Sequence, residues 1–111
     1  MKAIWIIAGA ALLGLAAQTA AASGDAEAGK AKAAQVCAAC HGPRGEKPTT
    51  PEYPILAGQY PDYIVQALSD YKSGKRSNPI MKGMAAGLTE QDMENVAAWF
   101  SSQPSPLHTQ Y

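Results

Sequence analysis

Cys37-Ala38-Ala39-Cys40-His41 is the stretch that decides how this chain is read. The pattern C-x-x-C-H is the attachment signature of c-type haem, and each residue has a chemical reason to stand where it does. Two cysteines about one helical turn apart can present both sulfurs to one edge of a porphyrin and form thioethers with its two vinyl groups. The histidine directly after the second thioether is then placed under the iron as proximal ligand. Three other uses of a C-x-x-C pair fit less well. A thioredoxin-like dithiol belongs between a strand and a helix, and no segment here reads as a strand. A structural zinc needs four ligands, yet beyond Cys37, Cys40 and His41 only His108 remains, in a proline-flanked tail. A disulfide closing so short a loop would do little for stability.

Upstream of the motif, the first residues read as a targeting segment. Lys2 supplies a small positive region, Ala3 to Ala17 is apolar, Gln18 and Thr19 break the run, and Ala20-Ala21-Ala22 offers a small-residue cleavage site before Ser23. The strongly apolar part is short for a membrane span, and no charged stop-transfer patch follows it. Residues 1–22 are therefore expected to be a cleavable secretory signal peptide. No twin arginine and no spare cysteine suggest folded export or a lipid anchor. The expected location is the periplasm, with haem attached after export and no stable membrane insertion.

Residues 23–111 are short enough for one domain only. Alanine dominates the apolar content and Phe100 is the single phenylalanine, so a core built from side chains alone would be marginal. A buried porphyrin would supply the missing apolar volume. Without Lys2 the chain has eight basic and nine acidic residues, close to neutral, and nothing resembles a nucleic-acid patch.

The rest reads as helices and loops. Asp25 is a natural N-cap for an alanine-rich helix from Ala26 to Val36. Gly29 inside it marks either a close helix crossing or a tolerated surface position. Gly42 to Pro51 is turn and loop. Pro61 opens a second helix in which Ile64, Ala67, Leu68 and Tyr71 share a face, and Gly74 stops it. Gly74 to Leu88, punctuated by glycine and proline, is expected to be a loop holding Met81 and Met84. Thr89 and Asp92 resemble a capping box, and Leu88 with Met93 sits at hydrophobic-staple spacing. Met93, Val96, Ala97 and Phe100 form the apolar stripe of the last helix, which Pro104 and Pro106 end, leaving 104–111 as a flexible tail. The expected fold is all-α, helices and long loops around one haem.

With these pieces in order, the chain resembles a class I cytochrome c, most of all a single-haem relative, or one half, of the two-domain bacterial cytochromes c-four. The resemblance runs from Gly24 to about Gln103. It is carried by Gly24-Asp25-Ala26-Glu27-Ala28-Gly29, the haem motif, Pro54-Ile55-Leu56-Ala57-Gly58-Gln59, Asn78-Pro79-Ile80-Met81, and Leu88-Thr89-Glu90-Gln91-Asp92 leading to Trp99-Phe100. It implies that Met81 is the sixth iron ligand opposite His41, with Met84 as the rival in the same segment. It implies that the Pro54 carbonyl accepts a hydrogen bond from the proximal histidine. Gln59, Tyr63, Arg76 and Asn78 are candidates to reach the haem propionates. Ala33 stands where mitochondrial relatives carry a phenylalanine.

A His- and Met-ligated iron has no open position for a substrate, and the methionine raises the reduction potential. The implied function is a one-electron carrier rather than an enzyme, a monomer that meets an electron donor and an acceptor. Lys72, Lys75, Arg76 and Lys82 suggest a modest basic rim for that docking. Two other functions suit the same residues: a haem subunit held permanently by a periplasmic oxidoreductase, and a peroxidase-like or gas-binding haem with a labile methionine.

Overall fold

The computed structural model describes residues 23–106 without interruption, together with 2–4, 9, 10 and 14. Most of the expected signal peptide, its cleavage site included, and the segment containing His108 lie outside the described residues. Five helices follow one another: α1 (Ala26–Val36), α2 (Ala38–His41), α3 (Pro61–Ser73), α4 (Pro79–Ala86) and α5 (Glu90–Ser101). There is no strand among the described residues, and no helix long and apolar enough to cross a membrane.

The frame is the crossing of α1 over α5. Asp25 caps α1 by accepting from the Glu27 and Ala28 amides at 3.0 and 3.3 Å. Gly29 then meets α5 so closely that a Cβ there would lie 1.8 Å from the Asn95 carbonyl oxygen. That distance selects the close-crossing reading of this glycine, because any side chain would push the helices apart. Ala33, fully buried one turn on, keeps the contact free of rings. Bonds from the chain just before α1 tighten the crossing: the Asp25 amide donates to Asn95 Oδ1 at 2.9 Å, and Gln91 Nε2 donates to the Ser23 carbonyl at 3.1 Å.

The last helix begins as its sequence demands. Thr89 Oγ1 accepts from the Asp92 amide and the Asp92 carboxylate accepts from the Thr89 amide, both at 3.0 Å. Leu88 and Met93 are both buried, as a staple requires, and Val96, Ala97 and Phe100 continue into the core with Ile64 and Leu68 of α3. Pro61 opens α3 and Gly74 closes it in the left-handed conformation.

The segment from Gly74 to Leu88 departs from expectation. Pro79 to Ala86 is a two-turn helix, not a loop. Its punctuation marks are start and stop signals: Asn78 is the N-cap, Pro79 occupies the first helical position where its missing N–H costs nothing, and Gly87 is the C-cap. Among the helices, α4 packs chiefly on α3.

The long connection from Gly42 to Tyr60 folds back beneath α5. Gly45 has φ 72° and lies so near Phe100 and Leu56 that a Cβ would come within 2.9 Å of both. Its carbonyl accepts from the Leu56 and Ala57 amides. Trp99 Nε1 donates to the Pro43 carbonyl at 3.1 Å, while Lys30 lies over the Trp99 ring at 5.5 Å, so α1, α5 and the loop share one junction.

Candidate functional site

Two helical walls and the returning loop enclose a cleft with about 1230 Å³ of empty space, its open mouth included. That is far more room than a bare metal ion needs. Every residue expected from sequence to meet the haem lines it: Cys37, Cys40, His41, Pro54, Gln59, Tyr63, Arg76, Asn78, Met81 and Met84.

The first wall is α2 with the loop beneath it. Cys37 is the junction between α1 and α2, and its carbonyl accepts from the Cys40 and His41 amides at 3.3 and 3.0 Å. This single turn puts both sulfurs and the imidazole along one side of the cleft. His41 is buried, and its Nδ1 stands 2.9 Å from the Pro54 carbonyl oxygen. A carbonyl can only accept, so Nδ1 carries a proton, and in the neutral ring Nε2 is then the nitrogen with the free lone pair. The Tyr53 ring lies tilted against the imidazole with centroids 6.1 Å apart. Thr49 pins the Cys40 carbonyl from the other side, its amide donating at 2.9 Å. Burial pushes the Cys37 thiol up to about 11, so a free sulfur there stays protonated at neutral pH.

The second wall is α4, with α3 behind it. Met81 is half-buried against the core, whereas Met84, one turn on, is 45 % exposed. Asn78 Oδ1 accepts from the Ile80 and Met81 amides, both at 3.1 Å. Lys72 Nζ donates to the Leu88 carbonyl just beyond α4 at 2.5 Å.

The polar candidates at the mouth divide. Arg76 lies 4.8 Å from the centre of the Tyr71 ring and 3.5 Å from the Tyr63 hydroxyl, so these side chains form one cluster. The hydroxyl accepts from the guanidinium and raises its pKa further, fixing the charge. Gln59 stands apart, its Oε1 accepting from the Tyr60 amide at 2.8 Å. All four residues expected to form a basic rim, Lys72, Lys75, Arg76 and Lys82, are exposed. Two of them are also held in place, Lys72 by the Leu88 carbonyl and Arg76 by Tyr71 and Tyr63, neutral partners that leave their charges intact.

Sequence reading passed over part of the lining. Tyr53, Ile55 and Leu56 come from a loop with no periodicity to betray an inward face. Tyr71 was legible on the shared face of α3, but that face reads as core, and only the fold shows that it also borders the cleft.

The donor set suits a c-type haem. Two cysteine sulfurs, an imidazole with its outer nitrogen already bonded, and a thioether on the facing wall border one largely apolar space. Among the described residues no group of three His, Cys, Asp or Glu side chains is arranged to hold a bare metal ion. The pattern of the cytochrome c family matches residues 26–104. The chain belongs to the cytochrome c family.

Its relatives place it with the c4 type. It is 49% identical over 81 residues to cytochrome c4 of Thiocapsa roseopersicina, covering 73% of this chain and 41% of that protein. It is 41% identical over 110 residues to the thiosulfate dehydrogenase electron acceptor of Stutzerimonas stutzeri, covering 96% of this chain and 51% of the relative. The crystal structure of reduced cytochrome c4 from Pseudomonas stutzeri superposes with a TM-score of 0.69 at 43% identity, over 76% of this chain and 48% of that one. The chain thus spans about half the length, or less, of these relatives. The all-α fold is that of class I cytochromes c, and the family's cofactor is haem c, here bound covalently through the chain's two cysteines, Cys37 and Cys40.

Proposed function

We propose that this cytochrome is a periplasmic one-electron carrier whose iron is held by His41 Nε2 and Met81 Sδ. The observation that carries the reading is the 2.9 Å bond from His41 Nδ1 to the Pro54 carbonyl, which aims the free imidazole nitrogen into the cleft that Met81 borders. The bound haem supplies a reversible one-electron couple, and the protein's task is to keep its surroundings nearly unchanged between the two states. Pro54 does so by holding the imidazole in one tautomer and orientation, and by raising its basicity as a ligand. Cys37 and Cys40 fix the cofactor's position by covalent bonds. Met81 Sδ, bordering the same cleft, would supply the iron's sixth ligand and so leave no site for a substrate. Leu56, Ile64, Leu68 and Phe100 keep water from the inner face.

The apolar segment from Ala3 to Ala17 and the small residues ahead of Ser23 support export to the periplasm, where the thioethers would be formed. The relative that accepts electrons from thiosulfate dehydrogenase supports a dehydrogenase as the donor class here.

Exported, matured protein tests the ligand set. The oxidised form should show the weak near-infrared charge-transfer band of a sulfur–iron bond. Met81→Ala should abolish the band and Met84→Ala should keep it. The reverse pattern moves the ligand to Met84, and survival in both variants removes methionine from the iron. Ready binding of cyanide or carbon monoxide by the unaltered protein would favour the gas-binding reading over the carrier.

A further inference from the structure

The helix that carries Met81 has only eight residues. Two turns are too few to hold themselves together in water, so something outside the helix must decide where it starts. One residue does most of this. Asn78 Oδ1 accepts from the Ile80 and Met81 amides at 3.1 Å each, and the Asn78 carbonyl accepts from the Lys82 amide at 2.8 Å. Pro79 has no amide hydrogen, so the first three N–H groups of α4 all point to Asn78. The middle one belongs to Met81 itself.

We infer that Asn78 is a positioning residue for the sixth ligand: its side chain fixes the backbone of Met81 and thereby the thioether in the cleft. This rests on the reading of Met81 as axial ligand. It assigns the Asn78 amide oxygen to the helix and not to the haem's carboxylates. Because the cap exists only while the first turn is formed, its loss favours the state in which Met81 has left the iron. A capping side chain replaced by alanine typically shifts such a balance about fivefold.

Imidazole added to the oxidised, haem-loaded protein competes with a methionine for iron, so its apparent affinity reports the population with the methionine detached. Asn78→Ala should bind imidazole about fivefold more tightly than the parent. Asn78→Gln should behave in the same way, because its amide is one methylene too long to reach back to Ile80 and Met81. Asn78→Ser, which can cap, should stay within about twofold of the parent. All three should keep the near-infrared band in the absence of imidazole. If Asn78→Gln matches the parent, or if Asn78→Ser is as loose as Asn78→Ala, the inference is overturned. Should Asn78→Ala fail to fold, the Gln and Ser pair decides alone. Met81→Ala, prepared in parallel, separates the two levels. A band that survives in it defeats the ligand assignment itself, whereas a lost band with unaltered imidazole affinity in the Asn78 variants defeats only the positioning role.

Discussion

The two walls of the cleft are built by opposite means. On the histidine side, the segment from Cys37 to His41 runs directly out of α1, and α1 is pressed to α5 at a point where no side chain fits. The loop beneath is fastened by long-range bonds: His41 to Pro54, Thr49 to Cys40 and Trp99 to Pro43. On the methionine side, α4 is short, leans chiefly on α3, and is held at one end by Asn78 and beyond the other by Lys72. The first wall belongs to the global fold and should open only when the molecule unfolds. The second is a local structure with local fastenings, and it can open by itself at lower cost.

Gly29→Ala should have the largest effect. Its Cβ would overlap the Asn95 carbonyl, a backbone atom that cannot swing away, and overpacking of this kind costs about 3 kcal/mol, offset in part by about 1 kcal/mol of helix propensity. Chemical denaturation of the haem-loaded protein should show that loss, while imidazole affinity under native conditions should change little. Lys72→Met should act on the other wall. Losing the bond to the Leu88 carbonyl costs about 1 kcal/mol, felt as tighter imidazole binding and, since global unfolding breaks the same bond, as a denaturation shift no larger than that. If Gly29→Ala tightened imidazole binding as well, the two walls would not be separable.

The smallest effect is on acid stability. The Thr89 amide, helped by the Thr89 hydroxyl and Lys32, holds the Asp92 carboxyl below the usual carboxylate range. A depressed value in the folded state means the contribution is present above the unfolded value of about 3.9 and is lost as pH falls through the folded one. Asp92→Asn should remove that part of the acid dependence. Since the capping box starts α5, which belongs to the frame, the change should appear in global unfolding below about pH 4 and not in imidazole affinity.

The same contrast explains what could be read without coordinates. The helices of the frame begin with side chains that speak for themselves: Asp25 before α1, Pro61 in α3, and Thr89 with Asp92 at α5. The haem motif carries its chemistry in five adjacent residues. The bounds of α4 were hidden because Pro79, Gly83 and Gly87 look like breakers when their neighbours are ignored, although Asn78-Pro79 is a good helix start. The apolar stripe of so short a helix is too brief to be counted as periodic. The inward faces of Tyr53 and Leu56 depend on a loop path that only the packing of Gly45 under Phe100 determines. Likewise, nothing in the order of Lys72 and Arg76 announces that each already has a partner.

The crossing of α1 and α5 also imposes a timetable. A bond from Asp25 to Asn95 spans 70 residues, and Gly29 waits for a partner nearly as far along the chain. In an unfolded chain the segment carrying Cys37, Cys40 and His41 has no frame behind it until α5 docks on α1, because contacts between residues so far apart in sequence close late. Until then both sulfurs lie open, and once Asn95 meets Asp25 and Gly29 they border a cleft whose back wall is fixed.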